Sequence, residues 1–274
     1  MPAPESQTSS DSNPFIRALA SSNRTTRARA LGSLRTYLCS RRSFTSLDLL
    51  KLQKGLFYTL YMQDKPRQQQ RLATELAELC NCFFAHGGKD GAGQAARENF
   101  LGWMTAFWTT MCTQWSGLDK ARMDKFLLLV RLYVRAGFET LRTQKWDEGF
   151  VEAYVGVLER KGGPLSARDV KVPDGLRLHV LDVFVDELDR VDEKRDAPAG
   201  VLLGPLRRMA KESLAKSVRM RVKETLENER LHDWSQGVVK EVVEGAGEND
   251  QHPLTEIGEA ERGDEDEEWT GIDD

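Results

Sequence analysis

The chain has 274 residues, of which 40% are hydrophobic, and a formal net charge of −4 at pH 7. It contains no apolar run of the length that a signal peptide or a membrane span needs, which argues against a secreted or membrane protein. The spacing of its four cysteines fits neither a disulfide framework nor a zinc site, so we expect reduced thiols in the cytosol or nucleus. These cysteines are Cys39, Cys80, Cys82 and Cys112.

The charge is distributed unevenly along the chain. Residues 241–274 contain fourteen acidic residues and one arginine, a net charge of −13, so the other 240 residues carry +9. A basic body is typical of a protein with an anionic partner, and an acidic tail can compete for that partner or bind basic proteins. We expect residues 1–12 and 241–274 to be disordered, because they are polar or acidic, and residues 13–240 to form a helical domain.

Leucines at helical spacing predict the second, third and fourth helices, after a short first helix that begins near residue 13. Thr45 with Asp48 resembles a capping box at the start of the third helix. Asp64 is predicted to cap the fourth helix, with Pro66 in its first turn. The inward faces contain Leu31, Leu34, Leu38, Leu49, Leu52, Leu56, Leu60, Leu72, Leu76 and Leu79. The arginines of the second helix that point largely outward are Arg24, Arg27, Arg29 and Arg35.

A glycine-rich loop over residues 86–94 separates these helices from the stretch that we expect at the centre of the fold. The fifth helix contains methionines and aromatic residues at a spacing typical of a protein core. The sixth lies within the stretch from Trp115 to Leu141, where Ser116 and Gly117 end the preceding helix and Asp119 caps the sixth. Its apolar residues cover most of its circumference, which predicts a helix buried by neighbours on several sides. They include Met123, Phe126, Leu127, Leu129, Val130, Tyr133, Val134, Phe138 and Leu141.

The remaining sequence predicts further helices over Trp146 to Leu158 and around Leu176 to Val191. After a break at residues 196–198, helices continue to Trp234. The total is about nine or ten helices with no convincing strand. Because the connections are short and neighbouring helices can pair, we predict an all-α fold, an irregular helical-repeat solenoid of the HEAT or armadillo kind.

Two groups of basic residues are candidate contacts with RNA phosphates or with a protein partner. The first, on the central helix, comprises Lys125, Arg131, Arg135 and Arg142. The second, within residues 205–223, comprises Arg207, Arg208, Lys211, Lys216, Arg219, Arg221 and Lys223, with Glu212 as the only acid. Without interleaved surface aromatics, the second group favours backbone contacts over base stacking. A solvated helix face is the alternative for both groups.

Aligned carboxylates follow one side of the helix around Leu176 to Val191. They are Asp182, Asp186, Asp189 and Glu193. Such a strip can hold a metal or perform acid–base catalysis, as in a nuclease, but no histidine or second carboxylate set completes a recognisable site. A solvated or partner-facing acidic strip is the better interpretation. His179, near the apolar side, is predicted to be a hydrogen-bonded structural residue. The sequence therefore predicts no catalytic or cofactor-binding residue.

Three blocks of sequence resemble the ribosomal RNA-processing protein 1 family, whose animal members are the Nop52 nucleolar proteins. They occur in the family's order and together span about residues 13–192. The blocks are LLKLQKGLFYTLYMQDKPRQQQRLATELAEL, FWTTMCTQWSGLDKARMDKFLLLVRLYVRAGFETLRTQKWD and PDGLRLHVLDVFVDELDRV. Some relatives end in a long basic tail, whereas this chain ends in a short acidic one, so functions of such tails do not transfer.

The resemblance implies a non-enzymatic assembly factor for the large ribosomal subunit, located in the nucleus and nucleolus. Such a protein is a scaffold in early pre-ribosomal particles and is required for precursor rRNA processing. Its expected partners are other large-subunit assembly factors and precursor rRNA, contacted directly or through the particle. No cofactor, membrane or small-molecule substrate is implied. The alternative is a protein-only helical-repeat adaptor in nuclear transport or chromatin.

Overall fold

The computed structural model describes residues 14–19, 21, 23–40, 43–85 and 92–234. In these ranges the chain forms α-helices and two 3₁₀ segments without any strand, which confirms the predicted all-α class. The termini over 1–12 and 241–274, which we predict to be disordered, lie outside the described residues. The same holds for residues 86–91 of the predicted glycine-rich loop.

Eleven α-helices lie within the described ranges, one more than the upper end of the prediction. The difference arises because Pro205, at the start of α10, cannot extend the one-turn α9 and instead begins a new helix. The 3₁₀ segments are Glu78–Phe84 and Trp115–Gly117. The helices are α1 Pro14–Leu19, α2 Arg24–Ser40, α3 Ser46–Tyr61, α4 Pro66–Ala77, α5 Ala92–Gln114, α6 Lys120–Thr143, α7 Glu148–Glu159, α8 Asp174–Val191, α9 Ala199–Leu202, α10 Gly204–Glu212 and α11 Lys216–Leu226.

Two of the predicted helix caps are correct and one is wrong. The hydroxyl of Thr45 accepts the backbone N–H of Asp48, and Asp119 accepts that of Arg122. Asp64 does not cap α4, because the N-cap position is Lys65, one residue later, and it makes no side-chain cap bond. Pro66 occupies the first turn, and a proline drives the residue before it into extended backbone, which places the helix boundary at Lys65.

Helices pack mainly against the second neighbour along the chain. Thus α3 contacts α5, α4 contacts α6, α5 contacts α7 and α6 contacts α8, while α11 returns to pack on α8. Contacts between elements close in sequence are typical of stacked helical pairs. This arrangement is compatible with the predicted irregular solenoid.

The sixth helix lies in the interior, as its apolar sequence predicts. Its Tyr133 ring is parallel to that of Phe107 on α5, with centroids 3.5 Å apart, and Tyr133 is 1% exposed. Its Phe126 stacks on Phe57 of α3 at 4.5 Å, and its Phe138 meets Phe184 of α8 edge to face. Aromatic contacts with α3, α5 and α8 therefore surround α6 and fix its place in the core.

The four cysteines are free thiols. Burial is the main cause that raises the pKa of both Cys82 and Cys112 to about 12. Because the thiolate is the reactive form, these thiols stay protonated and unreactive near neutral pH. They act as small apolar residues of the core.

Candidate nucleic-acid interface

The arginines of α6 and the carboxylates of α8 face each other across the contact between the two helices. Arg131 and Arg135 both bind Glu187, whose side chain is fully buried, and the Nε of Arg135 lies 2.5 Å from Glu187 Oε2. Arg131 also lies 3.6 Å from Asp186. Two of the three arginines predicted as a contact strip are therefore occupied by intramolecular ion pairs. Arg142, near the end of α6, is exposed.

Sequence reasoning did not single out Glu187, although a signal for it exists. Glu187 lies between Phe184 and Val191 on the apolar stripe of α8, away from the acidic strip. A charged residue within an apolar stripe is rarely buried unless it is paired. That signal predicts a buried ion pair, but it does not identify Arg131 and Arg135 as the partners.

The acidic strip of α8 binds arginines of the same chain. Asp182 pairs with Arg221, Asp186 lies 2.8 Å from Arg230, and Asp189 contacts both Arg195 and Arg230. Burial opposes the ionised form of Asp189, yet hydrogen bonds from the two arginines hold its pKa below the usual value. Three of the four carboxylates predicted to face a partner thus have intramolecular partners. The fourth, Glu193, is exposed beyond the end of α8.

The metal alternative for this strip finds no support in the part of the chain that the structure describes. There, no three His, Cys, Asp or Glu side chains lie together in a way that could hold a metal ion.

Lys125, a candidate contact with RNA or with a protein partner, is buried within the molecule. Lys125 is only 4% exposed, and its Nζ donates hydrogen bonds to the carbonyls of Tyr61 at 2.7 Å and Gln63 at 2.8 Å. Burial, with the nearby charge of Arg122, lowers the pKa of Lys125. Its ammonium satisfies carbonyl groups at the C-terminal end of α3, where a cation is favourable.

The basic segment over residues 205–223 divides into two sets. In the first set the cations are bound within the molecule. Arg208 forms a two-pronged ion pair with Glu159, Arg219 donates to the carbonyls of Ser213 and Leu214, and Arg221 pairs with Asp182. Arg207 is exposed but donates to the carbonyl of Gly200 at 3.0 Å. These arginines hold α10 and α11 in place.

The second set remains available to a partner. Lys211, Lys216 and Lys223 are exposed, and the structure shows no ion pair for them among the described residues. We call these three residues the α10–α11 lysine face. Met220, 52% exposed, lies between Lys216 and Lys223 on the same side of α11. This face can bind phosphate groups without breaking an internal ion pair.

His179 is a structural residue, as its position near the apolar side of α8 predicts. Its Nε2 is 2.8 Å from the carbonyl oxygen of Leu127 on α6. Burial lowers its pKa, although the bond to Leu127 and the charge of Asp182 act in the opposite direction. The neutral ring therefore joins α6 to α8.

The lowered pKa of His179 predicts a loss of stability in mild acid. As pH falls below about 6.5, the unfolded chain takes up a proton at this position before the folded chain does, so the free energy of unfolding decreases. Urea unfolding of the wild type between pH 7.5 and 5 should show this decrease, and His179→Gln should remove part of it. His232→Gln, which changes an exposed histidine, is the control. If the free energy of unfolding of His179→Gln fell with pH as steeply as that of the wild type, the prediction would be contradicted.

None of the helices in the described ranges is both long and apolar enough to cross a membrane.

Comparisons with known proteins identify the family. The sequence profile described as "Nucleolar protein, Nop52" matches residues 10–272. Ribosomal RNA processing protein 1 homolog B from Homo sapiens is 34% identical over 185 residues, covering 66% of this chain and 23% of the relative. Homolog A from Mus musculus is 35% identical over 178 residues, covering 63% of this chain and 33% of the relative. The Drosophila melanogaster homolog is 34% identical over 179 residues, covering 64% of this chain and 24% of the relative.

The chain spans about a quarter to a third of the length of these relatives. The profile match nevertheless covers most of this chain, and it confirms both the resemblance and the predicted nucleolar location. The chain belongs to the Nop52 family of nucleolar proteins.

Proposed function

We propose that this protein acts in ribosomal RNA processing as a non-enzymatic assembly factor of the large ribosomal subunit. It serves as a scaffold in early pre-ribosomal particles and binds other assembly factors and precursor rRNA. The observation that carries the proposal is the family match over residues 10–272, together with relatives that are named as ribosomal RNA processing proteins. The stacked helices support a scaffold role, because such arrays present long surfaces to several partners.

Depletion and gradient sedimentation test the proposal. We expect the tagged protein to sediment with precursors of the large subunit, and its depletion to cause unprocessed precursor rRNA to accumulate. Re-expression of the wild-type chain should restore processing. Absence from these particles, with unchanged precursor rRNA after depletion, would contradict the proposal. Ultraviolet crosslinking tests the alternative of a protein-only adaptor, for which no reproducible rRNA sites are expected.

The α10–α11 lysine face is the part of the basic segment that we propose to contact RNA. The Lys211→Gln/Lys216→Gln/Lys223→Gln variant should bind RNA more weakly, and about equally so for all sequences. Each lost phosphate contact should reduce the slope of log affinity against log salt by about 0.7–0.9. Fluorescence anisotropy at several salt concentrations measures both quantities.

The control for this variant removes the same charge elsewhere. Lys120→Gln/Lys161→Gln/Lys194→Gln changes three exposed lysines outside α10 and α11. An equal loss of affinity in both variants would show that net charge, and not the α10–α11 lysine face, sets RNA binding. An unchanged salt slope would assign the face to protein contact or to solvent.

A further inference from the structure

The first helices of the chain carry a large net positive charge, in addition to that of residues 205–223. Residues 14–85 contain twelve Lys and Arg against four Asp and Glu, a net charge of +8. The chain without its acidic tail carries +9 in total. Thus α1 to α4 and their connections form a second basic region of the chain that attracts polyanions.

A cleft with a volume of about 150 Å³ lies within this basic region, between α2 and α4. Three arginines line it, namely Arg24 and Arg27 from α2 and Arg71 from α4, together with Gln68. Its apolar wall includes Leu31 and Leu72. A space of this size holds several water molecules, so it has room for a small anionic group such as a phosphate.

Arg27 forms the inner end of the cleft. It is only 8% exposed, and its guanidinium donates to the carbonyl of Ser21 at 2.7 Å and to Gln63 Oε1 at 3.4 Å. These bonds fix the orientation of the group. A buried, fixed guanidinium gives a stronger field than a solvated one, because less water surrounds it.

Arg24 and Arg71 lie at the mouth of the cleft with groups available for a ligand. An Nη2–H of Arg24 donates to the neutral Gln68 Oε1 at 3.0 Å, so this bond leaves the charge of Arg24 uncompensated. The Nε–H of Arg71 donates to Glu75 Oε1 at 2.8 Å, and the side chain of Arg71 is 74% exposed. With Glu75 as the one carboxylate among the lining residues, the cleft has a net charge of +2.

We propose that the cleft between α2 and α4 binds the backbone of single-stranded RNA. Arg24 and Arg71 contact one phosphate through their planar guanidinium groups, and Arg27 provides the buried charge behind it. Leu31 and Leu72 pack against the adjoining ribose. The spread of cations over α1 to α4 suits a polyanion that continues beyond the cleft, which favours RNA over an isolated acidic side chain. This inference rests on the proposed function in rRNA processing.

The test uses the full-length protein and a fluorescent single-stranded RNA of about ten nucleotides. The Arg24→Gln/Arg71→Gln variant should lose at least tenfold in affinity and about 0.7 in salt slope for the lost phosphate contact. Arg29→Gln/Arg67→Gln is the matched control, since it removes two exposed charges from the same helices outside the cleft. We expect this control to lose less than threefold. Equal losses in the two variants would overturn the proposal.

Three further measurements distinguish the remaining explanations. Arg24→Lys/Arg71→Lys keeps the charge but removes the planar guanidinium, so an intermediate affinity supports a phosphate contact. A glutamate-rich peptide that binds the wild type more tightly than the RNA, and loses affinity in the Gln variant, would assign the cleft to an acidic protein. Circular dichroism melting curves check the folding of each variant, and wild-type-like melting with unchanged RNA affinity would overturn the proposal.

The outcome is separable from that of the proposed function. RNA binding by the purified protein does not require a pre-ribosomal particle. Loss of binding in the cleft variant, with no sedimentation in large-subunit precursors, would support the RNA site and contradict the assembly role. Sedimentation in large-subunit precursors, with RNA affinity unchanged in the cleft variant, would support the assembly role and contradict the RNA site.

Discussion

The Arg131→Met/Arg135→Met variant should lose about 3–5 kcal/mol of unfolding free energy. The reason is the side chain of Glu187, which is fully buried between α6 and α8 and binds both arginines. Without them, the folded protein must hold a carboxylate in the interior with no opposite charge. Desolvation of an unpaired ion is among the largest costs that a substitution can impose. Urea unfolding followed by circular dichroism measures the change.

A third substitution gives this prediction its sharpest test. Adding Glu187→Met to the double variant removes the unpaired charge and fills the space with an apolar side chain, so most of the lost stability should return. Arg142→Met is the control from the same helix, and it should change stability by less than about 0.5 kcal/mol because Arg142 is exposed. If the triple variant were no more stable than the double variant, the unpaired carboxylate would not be the cause.

Gly137→Ala should lower the unfolding free energy by about 1–3 kcal/mol. Alanine is the better helix former by about 1 kcal/mol, so helix propensity alone predicts the opposite sign. However, the new Cβ would overlap the hydroxyl oxygen of Tyr154 and would lie 2.6 Å from its ring carbon Cζ. Tyr154 is 1% exposed and has no room to move away without disturbing the packing of α6 on α7.

Two variants separate the steric explanation from a general effect of alanine. In Gly156→Ala an added Cβ meets nothing within 4 Å, so this change in α7 should be neutral or stabilising by up to about 1 kcal/mol. Tyr154→Phe removes the overlapping hydroxyl, so it should make Gly137→Ala less harmful than it is beside tyrosine. Thermal melting of the wild type, the three single variants and the Gly137→Ala/Tyr154→Phe double variant measures both effects. Equal destabilisation by the two alanine substitutions would contradict the steric explanation.

The helices and the core could be predicted from the sequence because both depend on patterns within a short stretch. The apolar residues of α6 recur at helical spacing, and Asp119 precedes them at the capping position. The error at Asp64 has a local cause as well, since Pro66 determines the backbone of the residue before it. A stricter use of the proline rule corrects that helix boundary without any tertiary information.

The roles of the charged residues were decided by tertiary structure. The sequence placed Arg131 and Asp186 on regular strips of two helices, but it did not show that those strips face each other. Charged residues that pair within the chain and charged residues that bind a partner can recur at the same spacing. The reason is that this spacing depends on one helix only. The same limit explains Lys125, whose carbonyl partners come from residues more than sixty positions earlier.

Local sequence patterns thus predicted the helical class and the buried sixth helix, and the resemblance of three blocks of sequence predicted the family. Which cations remain outside internal ion pairs depends on how the helices pack together. Ion pairs with α8 occupy Arg131, Arg135 and Arg221, while Lys211 and Lys216 stay exposed. The physical reason is that helix formation and burial follow local periodicity, whereas an ion pair depends on the position of a second, distant segment.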